Sequence, residues 1–588
     1  MATRYLIQLS NGREIRPEYD PAGVPEGFVR VHSTPLSTVF VSHDAAYQVL
    51  PDNAGVIIGH LFSRPLQPRK IDALSPNDAR HIVNTKGADL VKDHWGGYVA
   101  LIEDHALHQI HVLRDPSGTM PCVSIETPAG QILASDIGVL IEAGSLRPEV
   151  DWSALARFLF AFDLRSESTC LAGVTELLAG FRVSYGPAGV RVQSVWSPWD
   201  FVAEQRSRSD TDLATQLERT VKSCVHAWAD CFDHVLLTVS GGLDSSILAA
   251  CLSDAPVDVT YLTLATDERH YARLLARALG IQLIEAGYRL EDVDIRRSTA
   301  AHLPRPALYA FGQSEHVTKL GLIKARHIDG LMTGIGGDNV FCSMQSATPI
   351  LDRLIAHGPG PGAWRTLMDV CRLTGCSLWE AAAMATRRAA SRTRGYVWEG
   401  DLRFLNSDTV EQSRISLDHP WLDAPSGTLP GKAAHVAKLV RIQGTTDGFS
   451  RRDMPPQINP LLSQPIVEAC LAIPTWTWCA GGQTRSVARR AFRHVLPSEI
   501  VDRRSKGGPD SFAFDVIDSN RQILRAQLLE GELAHHQVID VAAVEAALDD
   551  RRSIHPLEYM RLSGLAEAEA WVRHWVSVPA SPIAAAPI

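Results

Sequence analysis

Apolar and polar positions alternate along the first 200 residues. The runs RYLIQL (4–9), GFVRVHS (27–33), AGVIIGHLF (54–62), GGYVALIED (96–104), HQIHVLRD (108–115) and FRVSYG (181–186) are alternating or β-branched, with Gly, Pro, Asp and Asn between them. Such runs predict strands, and their number predicts a β-dominated layered domain. The polar stretch EQRSRSDTD (204–212) reads as a linker. After it the period changes. Leu213, Leu217, Val221, Cys224, Trp228 and Cys231 recur every three or four residues, which predicts an amphipathic helix. The apolar run from His234 to Ser240 then reads as a strand, Gly241-Gly242 as a turn, and the following residues as a helix. VDVTYLTLA (257–265) and IDGLMTG (328–334) predict further strands, and DERHYARLLARALG (267–280) predicts a helix closed by Gly280. Strands alternating with helices imply parallel βαβ units and an open α/β sheet. Residues 345–575, rich in Ala, Leu and Arg, read as mostly helical.

Length and charge narrow the picture. At 588 residues the chain is too long for one core, and two or three domains are expected. Hydrophobic residues make up 45% and charged residues 21%, the balance of an ordinary globular protein. The formal net charge of −9 gives no long-range attraction to nucleic acid or anionic lipid, which leaves room only for a local basic groove, and no nucleic acid is expected as a partner. No apolar run approaches a membrane span, and MATRYLIQLS lacks the pattern of a signal peptide. The ten cysteines are scattered without a CxxC pair, which suggests buried thiols in a reducing cytoplasm.

Three segments carry candidate chemistry. Ser240-Gly241-Gly242-Leu243-Asp244-Ser245-Ser246 follows a buried strand and opens a helix. Glycines let the backbone approach a ligand, and a helix N-terminus offers free N–H groups to an anion. The loop suits a polyphosphate. Asp244 beside those phosphates makes electrostatic sense with Mg²⁺ between them. A glycine turn with a polar cap is the competing reading. GxxxxGK[ST] is absent, so this is no Walker loop. Thr333-Gly334-Ile335-Gly336-Gly337-Asp338 follows another predicted strand and can face the same crevice, with Asp338 as a second metal carboxylate. Arg503-Arg504-Ser505-Lys506-Gly507-Gly508 suits a leaving phosphate. On spacing alone a solvated basic loop explains it as well. ATRRAASRTR (385–394) reads as a solvated helical face, and Trp476 and Trp478 as core.

These residues resemble the ATP-dependent asparagine synthetase-like amidoligases, over most of the chain. Trp95-Gly96-Gly97-Tyr98, the stretch with Arg114, Asp115 and Gly118, and Ser135-Asp136 resemble that family's glutamine amidotransferase domain. LAGVTELLAGFRVSYG (171–186) is similar to the strand pair that ends it. The stretch from Asn459 to Glu468 resembles the helix start facing the active site, and 485–508 the segment bearing a lysine near the α-phosphate. The resemblance implies an α/β chain with an Ntn-type layered domain at 1–203. An adenine nucleotide α-hydrolase-like parallel sheet with helical additions follows at 210–577, and 578–588 is expected to be a disordered tail. It implies ATP contacts at Val239, Ser240, Gly241, Gly242, Asp244, Ser245, Ser246, Leu264, Thr333 and Gly334. It places Mg²⁺ on Asp244 and Asp338, and gives catalytic roles to Lys506 and Asp338.

The sequence departs from the family in two places. The amidotransferases use an N-terminal cysteine, whereas residue 2 is Ala and the first cysteine is Cys122. No glutaminase activity is expected, because a methyl group cannot act as a nucleophile. Asparagine synthetases carry a GEGxDE-like second loop; here it is GIGGDN, with Ile335 and Asn339. β-Lactam synthetases have a tyrosine at the Ile335 position. HLPRP (302–306), NPLLSQPIVE, IPTWTWCAGG (473–482) and RRSKGGPD look most like the lasso peptide cyclases. That resemblance implies adenylation of an Asp or Glu side chain in a ribosomally made core peptide, attack by its N-terminal amine, and release of AMP and pyrophosphate. A leader peptidase and a leader-binding protein are the implied partners. His302, Tyr309 and Glu315 are candidates for the base, each equally readable as structural. A small-molecule amidoligase is the alternative enzyme, and a non-catalytic maturation scaffold the alternative outside catalysis.

Overall fold

The computed structural model describes residues 2–10, 23–64, 68–202, 209–264, 268–307, 312–390, 395–413, 417–504, 510–549 and 555–577. Among the described residues of the first 194 lie the strands β1 (Tyr5–Leu9), β2 (Phe28–Ser33), β3 (Ser37–Ser42), β4 (Tyr47–Val49), β5 (Gly55–Ser63), β6 (His94–Asp104), β7 (Gln109–Arg114), β8 (Val123–Thr127), β9 (Gly130–Ala134), β10 (Val174–Glu176), β11 (Phe181–Gly186) and β12 (Gly189–Ser194). They form two antiparallel sheets, ordered β10-β8-β9-β1-β3-β2 and β12-β11-β7-β6-β5-β4. Alternation sorts their faces. Tyr5, Ile7 and Leu9 of β1 join Val56, Ile58 and Val99 of the second sheet in one core, while Leu6 points to a second core beneath the Ile137–Glu142 and Trp152–Phe160 helices.

The six runs read as strands are β1, β2, β5, β6, β7 and β11. The pair expected at 171–186 is corrected: β10 and β11 lie in different sheets, and β11 pairs instead with β12. All of β12 is exposed, so no buried apolar face marked it.

The Asp210–Ala229 helix follows, opened by a Ser209/Asp212 capping box, and leads to a parallel sheet. Its strands are β13 (His234–Thr238), β14 (Asp258–Thr263), β15 (Leu283–Glu285), β16 (Gly330–Met332) and β17 (Gln457–Ile458). They are ordered β15-β14-β13-β16-β17. Gly280 caps the Arg269–Leu279 helix at φ 65°, as its sequence predicts. The stretch 345–575 is mostly helical, as read, and β17 is a two-residue exception that closes the sheet edge beside β16. Most of the remaining described part of that stretch is helical, with loops such as 395–406 and 444–456 between the helices, and Trp476 and Trp478 are buried in it. The expected tail 578–588 and the first part of the linker read at 204–212 lie outside the described residues, and the end of that stretch is corrected: Ser209 caps the Asp210–Ala229 helix, and Asp210 and Asp212 stand in its first turn.

The first domain and the parallel sheet are not separate bodies. One core cluster runs from Tyr5 through Phe62, Trp95 and Trp228 to Ile466 and Val501. Glu176 lies at the centre of a buried ionic knot with Arg114, Arg165 and Arg305, the last from beyond the sheet break, and Asp447 completes it. The three guanidinium groups hold the Glu176 carboxylate well below its usual range despite burial. No described helix is long and apolar enough to cross a membrane.

Candidate active site

Four neighbouring strands of the parallel sheet end on the same side, and the residues picked from sequence follow those ends. Val239 follows β13 and donates its N–H to Leu262 O at 2.7 Å. Leu264 follows β14 and is buried. Thr333 follows β16, and its hydroxyl donates to Asn459, the residue after β17, at 2.7 Å. A ligand at this edge meets a switch in strand order, the usual place for one in an open α/β sheet.

The first loop is shaped by its own serines. Gly242 N donates to Ser240 Oγ at 3.3 Å, Ser240 N to Ser245 Oγ at 3.2 Å, and Ser246 Oγ to Gly242 O at 2.8 Å. Gly241 takes φ +75°, and a Cβ there would lie 2.6 Å from Tyr271 Cβ, so glycine is required. The Leu243–Leu252 helix begins directly after it, with Asp244 in its first turn.

The second loop lies on the first. A Cβ on Gly337 would sit 2.4 Å from Asp244 Cγ, so the backbone touches the carboxylate there. Asp338 and Asp244 converge on one nitrogen: Arg485 Nη1 is 2.6 Å from Asp338 Oδ1 and 2.9 and 3.0 Å from the Asp244 oxygens. Oxygens that share one cation in this way fit Mg²⁺, provided phosphate and water supply the remaining ligands. Among the described residues no group of three or more His, Cys, Asp or Glu could hold a metal alone.

Arg485 is the residue that sequence reasoning missed, although it opens the 485–508 segment. Lys438 is a second. Burial pushes its ammonium down and the Asp338 carboxylate opposes that shift. Arg489, one turn after Arg485, is pushed down to about 10 by burial and then by Arg485. Its Nε donates to Thr484 O at 2.8 Å. Arginines and a lysine thus gather around two carboxylates, an electrostatic setting for a polyphosphate.

Lys506 lies outside the described residues, as does Tyr309. The chain leading to 505–509 is nonetheless tethered to the loop. Arg503 lies 4.1 Å from the Tyr271 ring centroid, pairs with Glu268, and donates to Gly241 O at 3.4 Å. Ile335 is 36% exposed, with its N–H on Thr333 Oγ1 at 3.2 Å. The Asn339 amide donates to Lys438 O at 2.8 Å, a structural bond. Two candidate bases prove to be engaged elsewhere. His302 Nε2 bonds Gly448 O at 3.0 Å, and burial lowers its pKa. Glu315 pairs with Lys319 at 2.5 Å, one helical turn away.

Two family models match the chain. The family model described as asparagine synthase matches residues 212–440 and 457–573, more than half of the chain. The glutamine amidotransferase domain model matches 79–196. No curated protein matches. Among solved structures, the chain is similar to the glutamine phosphoribosylpyrophosphate amidotransferase of B. subtilis complexed with ADP and GMP. That likeness has 11% identity, covers 56% of this chain and 90% of the other, and has a TM-score of 0.21. It is also similar to an allosteric regulatory enzyme of purine biosynthesis, at 9% identity, 49% and 74% coverage and a TM-score of 0.20. The glycine loop, its partner after β16 and strands β13 to β16 beneath them fall inside the first matched segment, β17 opens the second, and the chain belongs to the asparagine synthase family of ATP-dependent amide-forming ligases.

Proposed function

We propose that the chain closes a macrolactam in a ribosomally made peptide of the lasso type, joining an Asp or Glu side chain to the peptide's own N-terminal amine. Ile335 carries this reading. An apolar, exposed side chain stands beside the phosphate loop where the asparagine-forming relatives place a carboxylate. A site for aspartate and ammonia gains nothing from an isoleucine there, whereas a peptide brings apolar surface to cover it.

Ser240 through Ser246 would cradle the phosphates of ATP, with Val239, Leu264, Thr333 and Gly334 along the adenosine. Asp244 and Asp338 would hold Mg²⁺, which neutralises charge on the departing pyrophosphate. A peptide carboxylate oxygen attacks the α-phosphorus, the α–β bridge breaks, and pyrophosphate leaves. The amine then attacks the acyl carbon, AMP departs, and the amine loses its proton. Lys506 would stabilise the anionic centre in both steps. Holding the amine against the acyl carbon is an orientation task worth several kcal/mol. The working division is an amidotransferase-like domain at 1–203 and a synthetase domain at 210–577. A leader peptidase and a leader-binding protein would deliver the peptide.

The test combines the protein, a leader protease, a candidate precursor peptide, ATP and Mg²⁺. A core peptide lighter by one water, with AMP formed in equal amount, supports the reading. AMP formed only with free amino acids as acceptors would move the assignment to a small-molecule amidoligase.

A further inference from the structure

Arg485 is held in an arrangement that its present contacts do not fully explain. It is 8% exposed, at the start of the Ser486–Phe492 helix. Its backbone takes φ 56° and ψ 32°, the left-handed region that a long side chain seldom adopts. That strain aims the guanidinium at Asp244 and Asp338. Yet one nitrogen, Nη1, makes all three short contacts to the carboxylates. The buried Nε has no hydrogen-bond partner among the described residues. An arginine built only to pair with carboxylates presents two parallel N–H groups to one of them. Here the fork is turned, with a buried donor left over, and an orphaned donor of this kind signals a further acceptor.

The charges lead to the same place. Asp244 and Asp338 face Arg485 directly, and Arg489 and Lys438 stand behind. A divalent cation placed between the two carboxylates would meet the Arg485 charge at contact distance. The two cations exclude each other unless an anion arrives with the metal and draws the guanidinium to itself. A phosphate does this well, because its oxygens can accept from Nε and an Nη together.

We propose that Arg485 couples the metal to the nucleotide. The guanidinium neutralises Asp244 and Asp338 and opposes a lone divalent cation. When a polyphosphate enters the glycine loop, Nε and Nη turn to its oxygens and the carboxylates are released to the metal. Metal and nucleotide therefore bind with strong positive coupling. This rests on the reading of the loop as an ATP site.

Mn²⁺ is the probe, its binding followed by electron paramagnetic resonance, with and without a non-hydrolysable α,β-methylene ATP. In the unaltered protein the nucleotide is expected to tighten Mn²⁺ binding at least about tenfold, a common size for such coupling. Arg485→Gln removes the charge. It is expected to bind Mn²⁺ without nucleotide about tenfold more tightly than the unaltered protein, and to lose most of the coupling. Arg485→Lys keeps the charge but not the fork, so it should still resist lone Mn²⁺ while binding nucleotide more weakly. Nucleotide-free Mn²⁺ binding that is unchanged in Arg485→Gln would overturn the proposal. If that variant does not fold, Mn²⁺ binding in the unaltered protein that is indifferent to nucleotide would overturn it equally. Asp244→Asn separates the two readings. If it leaves Mn²⁺ binding with nucleotide untouched, the ATP site itself is misplaced. If it abolishes that binding while Arg485→Gln changes nothing, only the coupling fails.

Discussion

Arg64 grips Glu468 with both guanidinium nitrogens, Nη1 to Oε2 at 2.6 Å and Nη2 to Oε1 at 2.9 Å. Arg64 follows β5, and Glu468 lies on the Gln464–Ala472 helix beside the candidate site. The same carboxylate accepts from Trp196 Nε1 at 3.0 Å and Gln464 Nε2 at 2.8 Å. Glu468→Ala would leave the Arg64 cation without its counter-charge and Trp196 Nε1 without this acceptor, while Arg64 Nη2 and Gln464 Nε2 keep only Val91 O. A loss of about 3 kcal/mol is expected, as when one partner of a buried pair is removed. Urea unfolding measures it. A shift in midpoint corresponding to under about 1 kcal/mol would place the pair among ordinary surface salt bridges.

The glycine contact makes a sharper probe of the site than a carboxylate deletion. Gly337→Ala adds one methyl group 2.4 Å from Asp244 Cγ. One loop must then move off the other. Pyrophosphate release is expected to fall at least about a hundredfold, since small displacements in a positioned site cost that much. Near-normal release would show that the two loops do not act together.

Lys506 and the carboxylates should fail differently. Asp244→Ala and Asp338→Ala are expected to weaken nucleotide binding in calorimetry as well as product formation. Lys506→Ala is expected to keep binding and lose about 10²–10³ in rate, the worth of one electrostatic group at a reacting centre. ADP in place of AMP as the product would point to an acyl phosphate and remove the basis of these roles.

Much of this site was open to reading in sequence because strand, glycine loop and helix are adjacent along the chain. SGGLDSS announces itself between an apolar run and a helical period. The second loop repeats the arrangement after β16, and parallel pairing of β13 with β16 brings the two together. Arg485 gave no such signal. It lies 241 residues from Asp244, and only the folded chain joins them. An arginine among arginines in 485–508 reads as surface charge until its left-handed backbone is seen. The short strands β15 and β17 were unreadable for a related reason. Neither lies in a distinct apolar run of the kind that marks three-residue β16 in IDGLMTG, and their neighbours in the sheet make them strands.

Glutamine hydrolysis is expected to stay at background. Cys122 and Cys170 are the cysteines of the first domain, and burial pushes their thiols up to about 11 and about 12. Neither supplies a thiolate near neutral pH. Glutamate release that disappears after alkylation of the folded protein would contradict this.

Glu567 makes stability depend on pH. Burial raises its carboxyl to about 7, against hydrogen bonds from Ser298, Thr299 and Ala300 that favour the charge. Those donors converge on Oε1, while Oε2 is buried with no partner among the described residues. Because the folded value lies above the unfolded one, its contribution is fully present below about pH 4.5 and is lost as pH rises through about 7. Glu567→Gln keeps an oxygen for the donors and carries no charge. It is expected to unfold at a higher temperature than the unaltered protein at pH 8, with the difference closing toward pH 5. An equal difference at both values would mean that the carboxyl is not titrating.

The second core has a consequence for how the chain is made. It begins at Leu6, passes through Leu155 and Leu159, and ends at Trp571 and Trp575. Trp152 stacks on His536 with ring centroids 3.6 Å apart, and Trp571 Nε1 donates to Leu303 O at 3.1 Å. The opening sheet and its helices therefore present an apolar surface whose cover lies far downstream and leaves the ribosome well after them. At about 5–20 residues per second, that cover arrives on the order of tens of seconds after the sheet is complete. A nascent chain stalled before Pro556 would hold this surface open to chaperones and to other nascent chains.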